Sequence, residues 1–187
     1  MTFAIDSLGG IPAHPLLVHA PVVLVPLAAL CALGALLPRT RRFLLWTGVW
    51  AAGAGLIGAW LAGESGEALE DSVRETAALE RHTELGEQVT PLVAVFLVFL
   101  VVSLLLHLAR RGGIPYETRL TPLTTRLMPR LRALPATAVS AILVATVAAG
   151  ALATWKTVDA GHSGAESVWD GVTIMHDEGR DGDGYDD

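Results

Sequence analysis

The chain has 187 residues, of which 52% are hydrophobic and 17% are charged, and its formal net charge at pH 7 is −6. This balance excludes a basic nucleic-acid-binding protein, and we expect no nucleic-acid partner. It also argues against an ordinary soluble domain, because the charged residues are confined to the segments between long apolar runs.

Four segments without Asp, Glu, Lys or Arg follow one another along the chain. They span residues 16–37, 43–62, 89–109 and 136–155. Each contains roughly the 20 residues that an α-helix needs to cross a bilayer, and a helix satisfies its own backbone hydrogen bonds in lipid. The sequence therefore predicts an all-α fold, with a bundle of four transmembrane helices in residues 1–160 and an acidic extracytoplasmic tail in residues 161–187.

The charges between these segments predict how the helices are oriented. Arginines dominate the first connection, at positions 39, 41 and 42, and the third connection, whereas every Asp and Glu except Glu117 lies in the second connection or towards a terminus. Because cytoplasmic loops are enriched in Lys and Arg, we predict that both termini are extracytoplasmic. The chain is then a multi-pass protein of the bacterial inner membrane, with the lipid bilayer as its main partner.

We expect short amphipathic helices in the second and third connections. Ser72 and Glu75 have the spacing of a capping box that starts a helix before the third apolar run. In the third connection, leucines at 120, 123, 127, 131 and 134 alternate with arginines. That pattern is typical of helical pieces that lie on an anionic leaflet.

One short sequence occurs in two similar forms. Gly-Glu-Ser-Gly-Glu-Ala at 63–68 resembles Gly-His-Ser-Gly-Ala-Glu at 161–166, and each follows an apolar run that leads outward. The likeness is compatible with a duplicated helical hairpin. Gly and Ser are also common where helices end, so the motif alone does not establish a duplication.

Four of the six histidines lie on the predicted outer side, at positions 14, 19, 82 and 162. Each could be a polar residue at the membrane border, but imidazoles from three helices at one level also form a candidate binding site. His14 and His19 are about 140° apart around a helix, because they are five positions apart. We therefore expect His19 to face the bundle and His14 to act as a cap or supporting group.

Two kinds of ligand fit these histidines. Haem b needs axial imidazoles from different helices, and we predict His19 and His82 as ligands, with His162 as the alternate and His14 in support. Cations for the propionates would come from Arg74, Arg81 or Lys156. A zinc or copper ion needs three or four ligands, and the candidates are His14, His19, His82 and His162 with Glu64 or Glu67.

Three motifs together resemble the bacterial membrane-protein family called domain of unknown function 2231. They are Ile-Pro-Ala-His-Pro-Leu-Leu-Val-His-Ala-Pro at 11–21, His82-x-x-x-Gly86, and Gly-His-Ser-Gly-Ala at 161–165 followed by Val168 and Gly171-Val172. The likeness extends over nearly the whole chain. The loose grouping of that family with membrane b-type cytochromes implies haem binding.

Two functions from different classes follow from these observations. In the first, the protein binds haem b at its outer face and transfers electrons within the membrane, with a redox or membrane-protein partner. In the second, it is a non-catalytic scaffold or accessory subunit, and its histidines are border residues. Zinc or copper binding is a further alternative, and whether the protein is an enzyme is left open.

Overall fold

The computed structural model describes residues 7–8, 11–70, 76–111 and 129–169. In these residues, the elements are β1 (Ser7–Leu8), β2 (Ile11–Pro12), α1 (His14–Leu17), α2 (His19–Gly34), α3 (Arg41–Glu70), α4 (Ala77–Arg111), α5 at 129–133 and α6 (Ala136–Trp169). β1 and β2 form one antiparallel pair of two-residue strands. The predicted start of a helix at Ser72, most of the amphipathic pattern in the third connection and the end of the tail lie outside the described residues.

Four helical segments are long and apolar enough to cross a membrane. They are His14–Gly34, Arg41–Ala68, Ala77–Arg111 and Ala136–Val168. Apart from β1 and β2, the described elements are helical, so the prediction of four apolar helices is confirmed. Helix α6 continues through the predicted domain boundary at residue 160 and ends at Trp169. The side of the membrane that each terminus faces stays a prediction.

The outer surface of the bundle carries large apolar side chains. Trp50 is 73% exposed, and Val23, Leu30 and Val144 are each at least 60% exposed. A water-soluble protein rarely exposes so much contiguous apolar surface. A surface of this kind is suited to contact with lipid tails.

On each long helix, the residues that face the interior of the bundle are spaced alternately three and four positions apart. The buried positions include 21, 25, 28, 32 and 35 along α2 and its C-terminal cap, 45, 48, 52, 55, 59 and 62 in α3, 89, 93, 96, 100 and 103 in α4, and 143, 146, 150, 153, 157 and 160 in α6. This heptad spacing is typical of helices that pack at a small crossing angle in a left-handed bundle. Many of the buried residues are Ala or Gly, so the helix backbones approach closely.

The helices form two hairpins. The first hairpin comprises α1, α2 and α3, and the second hairpin comprises α4 and α6. Between the hairpins, α3 packs against α4 and α2 packs against α6, which closes a ring of four long helices. One end of this bundle, which we call the histidine end, carries His14 and His82, and the opposite end is the arginine end.

The two hairpins are equivalent in their buried positions. When His14 is aligned with His82, the buried positions 21, 25, 28, 32 and 35 coincide with the buried positions 89, 93, 96, 100 and 103. When Ser65 is aligned with Ser163, the positions 45, 48, 52, 55, 59 and 62 coincide with 143, 146, 150, 153, 157 and 160. Both hairpins start at the histidine end, so they form a parallel repeat related by an axis along the bundle. The equivalence in buried positions thus extends beyond the short sequence likeness.

Arginines cap the helices at the arginine end. Arg41 donates from Nε to the Ala35 carbonyl at 2.7 Å and from Nη2 to the Leu36 carbonyl at 3.0 Å, just beyond the end of α2. Arg132 donates to the carbonyl of Ala109 at 2.8 Å, near the end of α4. These bonds satisfy carbonyl groups that helix ends leave without an intrahelical partner.

Candidate paired-histidine site

His14 joins the start of the first hairpin to its end. Its Nδ1–H donates to the carbonyl of Ala62 in α3 at 2.8 Å, and the residue is partly buried. The ring lies against Gly66, where an added Cβ would be 3.0 Å from Nδ1. A side chain at residue 66 would therefore push the imidazole away from α3 by a few tenths of an ångström.

His82 makes the equivalent contacts in the second hairpin. Its Nδ1–H is shared between the carbonyl of Ala160, at 3.0 Å, and the hydroxyl of Ser163, at 3.2 Å. The ring lies against Gly164, where an added Cβ would be 2.8 Å from Cε1. His82 therefore joins α4 to α6 in the same way that His14 joins α1 to α3.

Two buried serines complete this arrangement. Ser65 donates to the carbonyl of Ala62 at 3.0 Å, and Ser163 donates to the carbonyl of Ala160 at 2.9 Å. Each carbonyl thus accepts from a serine of its own helix and from the histidine that packs on that helix. Each imidazole lies against the last glycine of the repeated Gly-x-Ser-Gly sequence.

The two imidazoles meet between the hairpins. Their ring centroids are 6.0 Å apart and their planes are inclined at 79°, in an edge-to-face arrangement. Because Nδ1–H donates in each ring, the neutral form of the ring has its lone pair on Nε2. Backbone carbonyls commonly orient metal-binding histidines in this manner. The fold thus brings together two equivalently oriented imidazoles from the two hairpins.

The structure reverses the expected orientations of His14 and His19. His19 is exposed, and its Nδ1–H donates to the carbonyl of Pro15 in the preceding turn at 2.6 Å. It was expected to face the bundle, and this expectation is wrong in the described structure. The physical reason is the heptad register, because His14 lies seven residues before buried Pro21, whereas His19 falls off the buried face.

The remaining histidines lie elsewhere. The His162 side chain is 72% exposed, and its Nε2 lies 3.3 Å from the carboxylate of Glu166, which is also 3.9 Å from Arg81. His107 is buried in the last turns of α4, towards the arginine end. His176 and Arg74 lie outside the described residues. The roles of His19 and His162 as ligands stay predictions.

A site with three or four protein ligands is not found in the part of the chain that the structure describes. No group of three or more His, Cys, Asp or Glu side chains there could hold a metal ion. Glu64 and Glu67 therefore do not join His14 and His82 in such a group. The described site is a pair of imidazoles rather than a cluster of four.

A periodic signal in the sequence could have identified this pair. His14 continues the buried heptad positions of α2 towards its N-terminus, and His82 does the same for α4. Gly66 and Gly164 continue the buried positions of α3 and α6 in the opposite direction along the chain. The same register therefore places all four residues on inward faces at one end of the bundle.

Residues 10–175 match a family whose model is described as "Predicted membrane protein (DUF2231)". No curated protein and no solved structure matches the chain.

Proposed function

The chain belongs to the DUF2231 family of membrane proteins, and from this premise we propose that it binds one haem b at the histidine end of its bundle. His14 and His82 would be the two axial ligands. A haem held in this way transfers single electrons. The proposed function is electron transfer within or at the surface of the membrane.

The observation that carries this proposal is the pairing of two equivalent imidazoles. A structural zinc site generally needs four protein ligands, and a catalytic zinc site needs three. Haem iron needs only one or two protein ligands, because the macrocycle supplies the others. The ring centroids of His14 and His82 are 6.0 Å apart, and each ring donates from Nδ1 to a carbonyl of the opposite helix in its own hairpin. The donor set therefore fits haem better than zinc or copper.

The surrounding residues would orient the ligands. The carbonyls of Ala62 and Ala160 accept from Nδ1–H of His14 and His82, which fixes the orientation of each ring. Gly66 and Gly164 allow the rings to approach the helices. Arg81 and Lys156 remain the candidate cations for the haem propionates.

The test is a visible absorption spectrum of the protein, purified in detergent after expression with an adequate haem supply. We expect a Soret band in the wild type, with loss of the band in His14→Asn and in His82→Asn. Asn retains an N–H close to the position of Nδ1 but cannot replace the imidazole as an axial ligand. His19→Asn and His162→Asn are the matched controls, and both should retain the band because their side chains are exposed.

Other outcomes would contradict this proposal in distinct ways. Absence of a Soret band in the wild type, together with stoichiometric zinc or copper by metal analysis, would favour the metal-ion alternative. Loss of the band in His19→Asn with retention in His14→Asn would restore the ligand pair predicted from the sequence. Absence of both haem and metal would reject a cofactor site.

The second candidate function is a non-catalytic scaffold or accessory subunit. It is favoured by the fact that both Nδ1 hydrogen bonds join helices of the same hairpin, which is a structural role in itself. On this hypothesis, the wild type has no Soret band, and the Asn variants of His14 and His82 retain the stability and partner recovery of the wild type.

A further inference from the structure

Seven arginines lie at the arginine end of the bundle in the part of the chain that the structure describes. They are Arg39, Arg41, Arg42, Arg110, Arg111, Arg130 and Arg132. The described residues at this end, 34–45, 103–111 and 129–140, contain no Asp or Glu. The positive charge of these residues is therefore not balanced by a carboxylate among them.

The seven arginines form two groups. The first group donates hydrogen bonds to backbone carbonyls near helix ends, and its members are Arg41, Arg110 and Arg132. The second group is exposed and makes no hydrogen bond or ion pair to another described residue, and its members are Arg39, Arg42, Arg111 and Arg130. A guanidinium group carries five N–H donors and is always charged. The second group is therefore suited to binding an anion that comes from outside the chain.

Two arginines of the second group lie on either side of the junction between the hairpins. Arg42 is at the start of α3, Arg111 is the last residue of α4, and α3 packs against α4. Both arginines lie close enough to the buried ring of His107 for their charges to act on it. An anion at this junction therefore interacts with cations from both hairpins.

The surface beside these cations is apolar. Phe43 follows Arg42 directly and is 71% exposed, and Trp46, one turn further along α3, is 42% exposed. Leu37, two residues before Arg39, is also exposed. Free phosphate has no group that contacts such a surface, whereas a phospholipid has both a phosphate and acyl chains. The combination of unbalanced cations and exposed apolar side chains therefore fits an anionic lipid better than a soluble anion.

We propose that the arginine end binds an anionic phospholipid at the junction of α3 and α4. The phosphate lies between Arg42 and Arg111, and one acyl chain lies along Phe43 and Trp46. Guanidinium groups bind phosphate oxygens through paired, charge-assisted hydrogen bonds. The bound lipid holds the two hairpins together at the end opposite the paired histidines. This site is independent of the proposed haem and of its ligands.

Two tryptophans of α3 are matched probes for this lipid. Trp46 is near the arginine end, whereas Trp60 is nearer the histidine end and is similarly exposed, at 51%. Full-length chains that keep only one of them, with the other four tryptophans changed to Phe, are reconstituted in phosphatidylcholine containing phosphatidylglycerol with brominated acyl chains. Bromine quenches a nearby indole, and each fluorescence is divided by that of the same chain in phosphatidylcholine alone. We expect a preference for phosphatidylglycerol of about fivefold at Trp46, the effect of one basic residue near anionic lipid, and none at Trp60.

Two double variants separate the proposed site from the other cations. Arg42→Gln/Arg111→Gln should abolish the preference at Trp46. Arg81→Gln/Lys156→Gln, which removes two cations nearer the histidine end, should leave it unchanged. Phosphatidylglycerol should also raise the midpoint of thermal unfolding of the wild type, but not that of Arg42→Gln/Arg111→Gln. Unchanged elution volume and helical circular dichroism of each variant exclude loss of the fold as the cause.

Three results would overturn the proposal. An equal preference at Trp46 and Trp60, no preference at either, or an equal loss in the two double variants would show ordinary bilayer contact only. Loss of the preference in millimolar inorganic phosphate, but not in sodium chloride of the same ionic strength, would show a site for free phosphate. Arginine-dependent binding of polyglutamate, without any preference for phosphatidylglycerol, would show a surface for an acidic protein.

Discussion

The two hairpins have the same contacts at the histidine end but different residues in their interiors. In each hairpin, a histidine packs against a glycine and donates a hydrogen bond to a backbone carbonyl. A serine occupies the equivalent position in both hairpins. In the interior, the first hairpin has Ala28 and Ala52 where the second has Phe96 and Gly150. The second hairpin therefore pairs a large residue with a glycine, whereas the first hairpin pairs two alanines. The contacts at the histidine end are repeated, whereas the packing of the interior is adjusted within each hairpin.

Polar groups also distinguish the two interiors. The second hairpin contains a buried hydrogen bond between the hydroxyls of Ser103 and Thr146, with an O–O distance of 2.7 Å. The equivalent positions in the first hairpin are Ala35 and Gly48, which have no side-chain polar atoms. Two hairpins of one shape can therefore be held together by different combinations of packing and hydrogen bonding.

The largest loss of stability should come from disturbing the close contact between Gly150 and Phe96 in the second hairpin. In Gly150→Ala, the new Cβ would be 2.8 Å from Cε2 of Phe96 and 3.2 Å from Cβ of Ala29. Phe96 is fully buried, so the ring can move little. We expect a loss of about 1–3 kcal/mol in the free energy of unfolding, measured in mixed detergent micelles. Recovery of stability in the double variant with Phe96→Leu is the control, and an unchanged stability of Gly150→Ala would contradict the contact.

The histidine contacts should stabilise both hairpins. In haem-free protein, we expect His14→Ala and His82→Ala each to lower the free energy of unfolding by about 0.5–1.5 kcal/mol, because each removes one hydrogen bond to a helix carbonyl. Chemical unfolding in mixed micelles measures both values. His19→Ala should have a smaller effect, since its hydrogen bond lies on an exposed helix turn. A large effect of one substitution and none of the other would contradict the equivalence of the hairpins.

The buried hydroxyl pair should have a smaller effect that is confined to the second hairpin. We expect Ser103→Ala to cost about 0.6 kcal/mol, which is the average for hydrogen bonds between transmembrane helices. Thr47→Ala is a control, because the Thr47 hydroxyl bonds only to the Phe43 carbonyl of its own helix. A double-mutant cycle of Ser103→Ala and Thr146→Val should give a coupling of similar size, and a coupling of zero would show that the bond contributes nothing.

The smallest expected effect is a gain in the free energy of unfolding. Gly53 has no heavy atom within 4 Å of an added Cβ, and the equivalent residue of the second hairpin is Ala151. Gly53→Ala should therefore stabilise the protein by about 0.5 kcal/mol through the reduced freedom of the unfolded chain. A loss of stability in the same unfolding assay would show that α3 is packed more tightly there than the structure indicates.

The four helices could be predicted from the sequence because each apolar run exceeds the length of a bilayer crossing. Their full lengths could not be predicted in the same way. Gly63 and Gly66 resemble a helix end, yet α3 continues to Glu70. Within this helix, the His14 ring lies beside Gly66 where a side chain would otherwise be. The sequence around a glycine does not show which residue from a distant part of the chain will pack against it.

The candidate site was predicted in part. The sequence places histidines 14, 19, 82 and 162 at one end of the bundle, but their side chains face in different directions. The spacing of His14 and His19 shows that they cannot share a narrow site, but it does not show which one faces inward. That choice depends on the heptad register of α2, which is fixed by residues such as Pro21 and Val25 further along the helix.

The central claim is that the two hairpins bring His14 and His82 together, and intramolecular cross-linking tests it most directly. His14→Cys/His82→Cys is compared with His19→Cys/His82→Cys, both with Cys31→Ala, using a short bifunctional thiol reagent. We predict a rapid link within one chain for the first pair and little or none for the second. Equal linking of the two pairs, or linking of the second pair alone, would contradict the account.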